Sequence, residues 1–355
     1  MPLSARRVTL ALAVAMTALG GAWAARAPAP AKPAARPAAK PTYDPRDLDG
    51  TWTNAWLTKT ERPKDFTTLI IPEAQAAEYE AKNAGKVKPE KDLVGQETSE
   101  FPEVGEQLAR IRGQARSSWI YDPADGKIPY TEAVKAANKA RTDFIESNFD
   151  NPDARGLDER CVGATKAGPP LRNGADSNVI RIVQTRDQLA IESEADHNLR
   201  LVRIGGTHGP EAARRWMGDS VGRWEGDTLV VETVRFHPLQ LGAAAGAPGA
   251  DSKVIERFTR TGADEITYDF IVENPALYTQ TWRGEMILRP SKGPIYEYAC
   301  HEGNYGLEFI LAGARQAEAG VKAADVVGVV KGEAASAVVA VTKAEKDATA
   351  GGGGK

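Results

Sequence analysis

Between about Asn178 and Ala299, apolar and polar residues alternate with a period of two. Eight runs carry the pattern in order: "NVIRIVQT", "QLAIESEA", "LRLVRI", "DTLVVETVRF", "KVIERFT", "EITYDFIVE", "TWRGEMILR" and "IYEYA". That period puts successive side chains on opposite faces of a strand. Short turns such as "RD", "EGD" and "RTGAD" join many of the runs, as in antiparallel hairpins. Helices do not alternate with these strands, so a βαβ sheet is excluded. A meander of this length removes its exposed edges by closing. The pattern predicts a mainly β fold: an antiparallel meander closed or strongly bent into a barrel.

A different texture fills about 72–148, where helical signals dominate. "PEAQAAEYEAKNAG" starts with Pro72 at a first helical position and has Gly85 just past its end. "TEAVKAANKARTDFIESN" has Thr131 as its cap and sets Val134, Ala137, Arg141, Phe144 and Ile145 along one face. Between them, "WIYDPADGKIPY" reads as two short strands around a turn. This region is expected to be a helical insertion capping the barrel.

The ends differ from the body. Residues 1–24 read as an export signal: Arg6-Arg7, the apolar "VTLALAVAMTALGGA", and a small-x-small site at Ala22-Trp23-Ala24. Its apolar run is too short to span a membrane, and no other segment reaches spanning length. Residues 25–42 form a Pro/Ala/Lys linker. A single barrel-like domain is expected over 43–315, followed by a low-complexity tail over 316–355. The expected location is periplasmic or secreted, with no integral membrane segment once the signal is removed.

Charge narrows the partners. The chain carries a net charge of −3, and residues 1–41 hold six cations and no acid, so the remainder stands at −9. A body that acidic repels a phosphate backbone, and nucleic acid is not an expected partner. The two cysteines, Cys161 and Cys300, are expected to form a disulfide in an oxidising compartment.

The densest stretch is "WMGDSVGRWEGDTLVVETVRF", residues 216–236. Gly226 and Asp227 supply turn chemistry, so it is read mainly as a hairpin. Side chains on the strands give a sharper lead. Arg181 lies between Val179 and Val183, Glu232 between Val230 and Val234, and Glu256 between Val254 and Phe258. Tyr268 lies between Ile266 and Phe270. Charged groups on apolar faces must pair or meet a ligand. Together they form either an internal salt-bridge network or the polar floor of a pocket, with Trp224 and Trp282 as stacking partners and Tyr305 as a further contact.

Four histidines are present: His197, His208, His237 and His301. Glu194 precedes His197 by three, and "CHEGNY" sets His301 and Glu302 beside Cys300. These four residues are the candidates for acid–base catalysis. A metal site from His197, His208 and His301 has no supporting spacing, so metal binding is left open. The chain has no Gly-rich phosphate loop, G-x-S-x-G elbow or H-E-x-x-H, and no cofactor is expected.

Taken together, "DLDGTWTN", "ERC", "IVQT", "WMGDSVGRWEGDTLVVET", "VIERFTR" and "IYEYACHEGNY" followed by "GAR" resemble a large family of exported bacterial proteins without an assigned activity. The resemblance covers roughly 46–315. It marks Glu194, His197, Arg200, His208, Trp216, Asp219, Trp224, Glu225, Asp227, Cys300, His301, Glu302, Asn304 and Tyr305 as motif positions. The chain departs from that family's pattern before "IVQT", which lacks a tyrosine-rich run, and at Asn274, where the family has Asp. Gly50-Thr51-Trp52 also resembles the G-x-W that opens lipocalins and related calycin barrels, whose tryptophan closes the barrel floor. That resemblance implies a calycin-like barrel with an interior ligand cavity.

Three readings follow. The first is an exported barrel binding a small, partly apolar molecule in an interior pocket. The second is a cofactor-independent hydrolase, lyase or isomerase using His and Glu. The third is a cell-envelope interaction protein.

Overall fold

The computed structural model describes residues 43–84, 105–157, 159–162, 168–174, 177–242 and 246–320. The expected signal (1–24) and linker (25–42), and the tail beyond 320, lie outside the described residues.

The chain opens with β1 (Gly50–Thr53), then forms helix α1 (Glu73–Asn83) and the short strands β2 (Arg110–Ile111), β3 (Gln114–Ala115) and β4 (Ile120–Asp122). Helix α2 (Glu132–Ser147) follows, with the Thr131 hydroxyl accepting from the Val134 N–H as the sequence predicts. Then come β5 (Val179–Gln184), β6 (Gln188–Ser193), β7 (Asn198–Ile204), β8 (Asp219–Glu225) and β9 (Thr228–Val234). The last strands are β10 (Lys253–Gly262), β11 (Glu265–Glu273) and β12 (Trp282–Pro290), before helix α3 (Gly306–Glu318).

Nine of these strands close into a barrel in the order β1-β5-β6-β7-β8-β9-β10-β11-β12, with β12 returning to β1. The fold is mainly β with a helical insertion, as the alternation predicts. β4 adds to β12 beyond the end of β1. Strand directions give the barrel two unlike ends. The lower end carries the tight β5–β6, β8–β9 and β10–β11 turns. The upper end receives the long excursions after β1, before β5 and between β9 and β10.

Three details differ from the sequence reading. "IYEYA" is not a strand: the Tyr296 and Tyr298 N–H groups go to the Glu194 and His197 side chains instead of a neighbouring backbone. β8 enters the barrel wall, and it pairs with β7 in parallel, so the meander is broken by a crossover over 205–218. Parallel neighbours cannot be joined by a hairpin. Finally, α3 runs past the expected start of the tail at 316.

The interior grades from apolar to polar. At the lower end Leu48, Trp52, Ile182, Leu189, Val202, Leu229, Phe258, Ile266 and Leu288 belong to one buried core. The Trp52 Nε1–H donates to the Leu48 carbonyl at 3.1 Å, and the Arg260 guanidinium lies 5.5 Å from the Trp52 ring. Toward the upper end Ser193, Arg200, Ser220, Thr233 and Glu256 are buried. Outside the barrel, Cys161 and Cys300 form the expected disulfide and tie the segment before α3 to the excursion preceding β5.

One packing feature is testable. Phe270 faces Gly284 across β11 and β12, and a Cβ there would lie 2.2 Å from Phe270 Cζ. Phe270 is held by Tyr268 and Trp282 at 5.7 and 5.6 Å, so its ring has little room to retreat. Gly284→Ala is expected to destabilise by about 2 kcal/mol, as overpacked cores do. Urea unfolding should show it, and adding Phe270→Leu should recover part of the loss.

Candidate functional site

Alternation turns Arg200 on β7, Glu256 on β10 and Tyr268 on β11 into the barrel, where all three are buried. Arg200 grips Glu256 with both terminal nitrogens: Nη2 donates to Oε1 at 2.8 Å and Nη1 donates to Oε2. The Tyr268 hydroxyl donates to Glu256 Oε1 at 2.8 Å and accepts the Leu171 N–H at 2.9 Å. Burial and the neighbouring Glu256 charge push the Tyr268 hydroxyl well above its ordinary range, so it stays a donor. Burial alone would lower Arg200, but the Glu256 charge and hydrogen bonds outweigh it and the net shift is upward. This is a fully desolvated ion pair, and its stability rests on the two-point contact between the side chains and on the Tyr268 hydrogen bond.

An aromatic ladder climbs from this hub. Phe258 meets Tyr268 at 5.0 Å, Tyr268 meets Phe270, and Phe270 meets Trp282 edge-on. Trp282 meets Tyr278 at 5.9 Å, and Tyr278 meets Tyr130 at 5.5 Å. Segment Gly168–Gly174 lies over the upper end, with Leu171 buried in the core. Asn54 Nδ2 holds the Arg172 carbonyl at 3.1 Å, and the Trp119 Nε1–H donates to Asn173 Oδ1 at 2.8 Å. Burial lowers the Arg172 guanidinium, partly offset by Tyr130, Tyr278 and Tyr268 around it.

Several buried polar atoms in this upper region close no hydrogen bond among the described residues. They are Arg200 Nε, Asn198 Nδ2 and Asn54 Oδ1. Trp282 Nε1 and Tyr278 Oη face each other instead, and this contact works against the rise that burial imposes on the Tyr278 hydroxyl. Natural interiors leave few such atoms, and each one calls for an explanation.

Three sequence candidates therefore meet here: Glu256, Tyr268 and Trp282. The others lie elsewhere. Arg181 is exposed on the outer face of β5, because Ile180 and Ile182 take the inward positions. Apolar residues flank it on both phases, and a shift of one residue reverses the faces. Glu232 also faces outward, toward His208. Trp224 is half-buried at the lower end, with Arg46 5.6 Å from its ring. Tyr305 is exposed beside Phe309, and His301 and Glu302 are exposed on the turn before α3. Glu194 and His197 accept the Tyr296 and Tyr298 N–H groups at 3.1 and 2.9 Å, which makes them anchors for that segment.

Sequence reasoning missed Arg200 as the interior cation, although the inward phase of Val202 would have found it. It also missed Arg172, Tyr130 and Tyr278, which come from irregular segments without periodicity.

A second network sits on the outer wall around the buried Asp219. Its carboxylate accepts from Arg203 Nη2 at 2.8 Å, the Gly209 N–H at 2.8 Å, Arg235 Nη1 at 3.3 Å and, on the ring side, His208 Nδ1 at 3.1 Å. Burial pushes Asp219 up, but the bonds from Arg203, Gly209 and His208 outweigh it and hold the group at about 2. Among the described residues no group of three or more His, Cys, Asp or Glu is placed to hold a metal ion. Among them, too, no helix is long and apolar enough to cross a membrane.

In comparisons with protein-family models, curated proteins and solved structures, nothing matches this chain.

Two outcomes follow from these networks. Glu256→Ala strands the Arg200 charge and is expected to cost about 3–5 kcal/mol. Replacing both partners by Met and Leu should recover most of that in denaturant melts. Asp219 has a folded pKa below its ordinary 3.8, so its contribution is present above 3.8 and lost as pH falls toward about 2. Asp219→Asn should therefore cost about 2 kcal/mol at neutral pH. The gap to the parent protein should close below pH 3.8.

Proposed function

We propose that the chain is an exported, calycin-like barrel that binds a small, partly apolar molecule in the upper half of its interior. The observation that carries this reading is the set of buried, unsatisfied polar atoms beside the aromatic ladder. Arg200 Nε and Asn198 Nδ2 are both donors. A ligand with a flat apolar body and a carbonyl, carboxylate or hydroxyl head supplies what they lack. Tyr278, Trp282 and Phe270 offer ring faces and edges to the body, and such apolar walls with few polar groups are typical of small-molecule sites. Gly168–Gly174 covers the entrance, held largely by hydrogen bonds from side chains to its backbone.

Export is supported by the signal pattern at 1–24 and by the Cys161–Cys300 disulfide, which suits an oxidising compartment. The acid–base reading draws no comparable support. Glu194 and His197 bind backbone N–H groups, and His301 and Glu302 stand exposed on a turn.

Native mass spectrometry of protein isolated from its own compartment tests the proposal. The expected spectrum shows a non-covalent organic adduct that is lost on denaturation. Asn198→Leu removes one of those donors while keeping the side chain's size, and should weaken adduct retention by about tenfold, the worth of one buried hydrogen bond. A clean apo mass, with retention no different in the variant, would overturn the reading.

A further inference from the structure

The crossover 205–218 carries the chain along the outer wall from the lower end of β7 to the upper end of β8. Its two ends are fixed by backbone bonds. The Gly205 N–H donates to the Gly222 carbonyl at 2.7 Å, and Arg215 exchanges bonds with Arg235 and His237 at 3.1 and 2.8 Å. Between them, His208 reaches the wall with its ring. Nδ1 lies 3.1 Å from Asp219 Oδ2, and Nε2 lies 3.2 Å from Glu232 Oε1.

A carboxylate only accepts, and a neutral imidazole carries a single N–H. The neutral ring can therefore satisfy one of these contacts and must turn a lone pair toward the other carboxylate. The imidazolium donates to both. Charge-assisted bonds of this kind are among the stronger ones in proteins.

Charged groups of both signs surround the ring. On the barrel side, Arg203 and Arg235 both bind Asp219, and Lys253 pairs with Glu273 at 2.8 Å while also lying within electrostatic reach of Glu232. On the crossover itself, Arg214 binds Asp251 at 2.8 Å, Glu211 is exposed, and Trp216 stacks on His237 with centroids 4.3 Å apart. Asp219 thus has two guanidiniums besides the ring. For Glu232 the side-chain hydrogen bond described is the one to His208.

We propose that His208 is a proton-operated clasp: the imidazolium pins the crossover to β8 and β9, and loss of its proton releases the Glu232 contact. Histidine is the side chain whose charge ordinarily changes between about pH 5 and 8. The clasp is closed on the acid side and loosens as pH rises. Loosening is confined to about 206–213 and is partial there, because backbone pairing holds both ends of the crossover and the Gly209 N–H bond to Asp219 and the Arg203 bond to the Thr207 carbonyl do not depend on the ring's proton.

Hydrogen exchange of the full chain, read by mass spectrometry between about pH 5.5 and 8.5 and corrected for intrinsic rates, tests the clasp. Protection over 206–213 should fall by about tenfold across that range relative to the β10–β11 hairpin, the worth of one charge-assisted bond. In His208→Gln the corrected protection should be flat with pH. Glu232→Gln offers an amide N–H to a neutral ring nitrogen, so its contact survives in both ring forms and its profile should also be flat. A flat profile in the unaltered protein overturns the proposal, as does a pH-dependent one that persists in His208→Gln. Should His208→Gln fail to fold, persistence of the pH dependence in Glu232→Gln overturns it instead.

Discussion

The barrel depends on β1, four residues that pair on one side with β5 and on the other with β12. Once β12 returns to β1, the interior is cut off from water along the whole circumference. Every polar group turned inward must then find its partner inside, because an unpaired buried charge is among the most costly features a fold can carry. Arg200, Glu256, Tyr268 and the Leu171 N–H answer that demand as a unit. Their bonds span β7, β10, β11 and the segment across the upper end, so the network ties opposite walls together. Arg200 Nε, on the ion pair itself, is an exception among the described residues, as are Asn198 Nδ2 and Asn54 Oδ1.

The two ends follow different rules. At the lower end tight turns join neighbours, and the core closes with Trp52 beneath the Arg260 guanidinium. At the upper end the chain leaves the barrel and returns several times. The strand-like segment after β12 is gathered there by Glu194, His197 and the disulfide. Hydrogen bonds from side chains to backbone do this joining, as suits irregular segments that have no sheet edge to pair with. Polar residues concentrate at this end and apolar ones at the other, which gives the interior a direction. The outer wall is a separate environment, where Asp219 and Glu232 face the crossover and not the core.

Much of this architecture is legible in the amino-acid sequence. Period-two alternation locates seven of the wall strands, and the absence of intervening helices specifies an antiparallel arrangement for most of them. The Thr131 cap and the cysteine pair are equally local signals, and both appear as expected. Glu256 and Tyr268 are recognisable because single polar residues interrupt otherwise apolar faces. Alternation fails where both faces are apolar. On β5 the order Val-Ile-Arg-Ile-Val fits either phase, and Arg181 goes outward because Ile180 and Ile182 fill the core. Glu232 lies in a similar run and also faces out, where the crossover supplies its partner.

By itself, then, the sequence determined most of the strand content, a sheet either closed or strongly bent, the helical insertion and the cysteine partnership. All of these rest on local periodicity or on a choice between two residues. Tertiary structure alone decided the parallel pairing of β7 with β8, the pairing of Arg200 with Glu256, and the gathering of Tyr130, Tyr278 and Arg172 above them. The physical reason is separation along the chain. Arg200 and Glu256 stand 56 residues apart, and the Leu171 N–H reaches Tyr268 across 97. Contacts at such distances leave no period in the sequence, and only closure of the barrel brings them within reach.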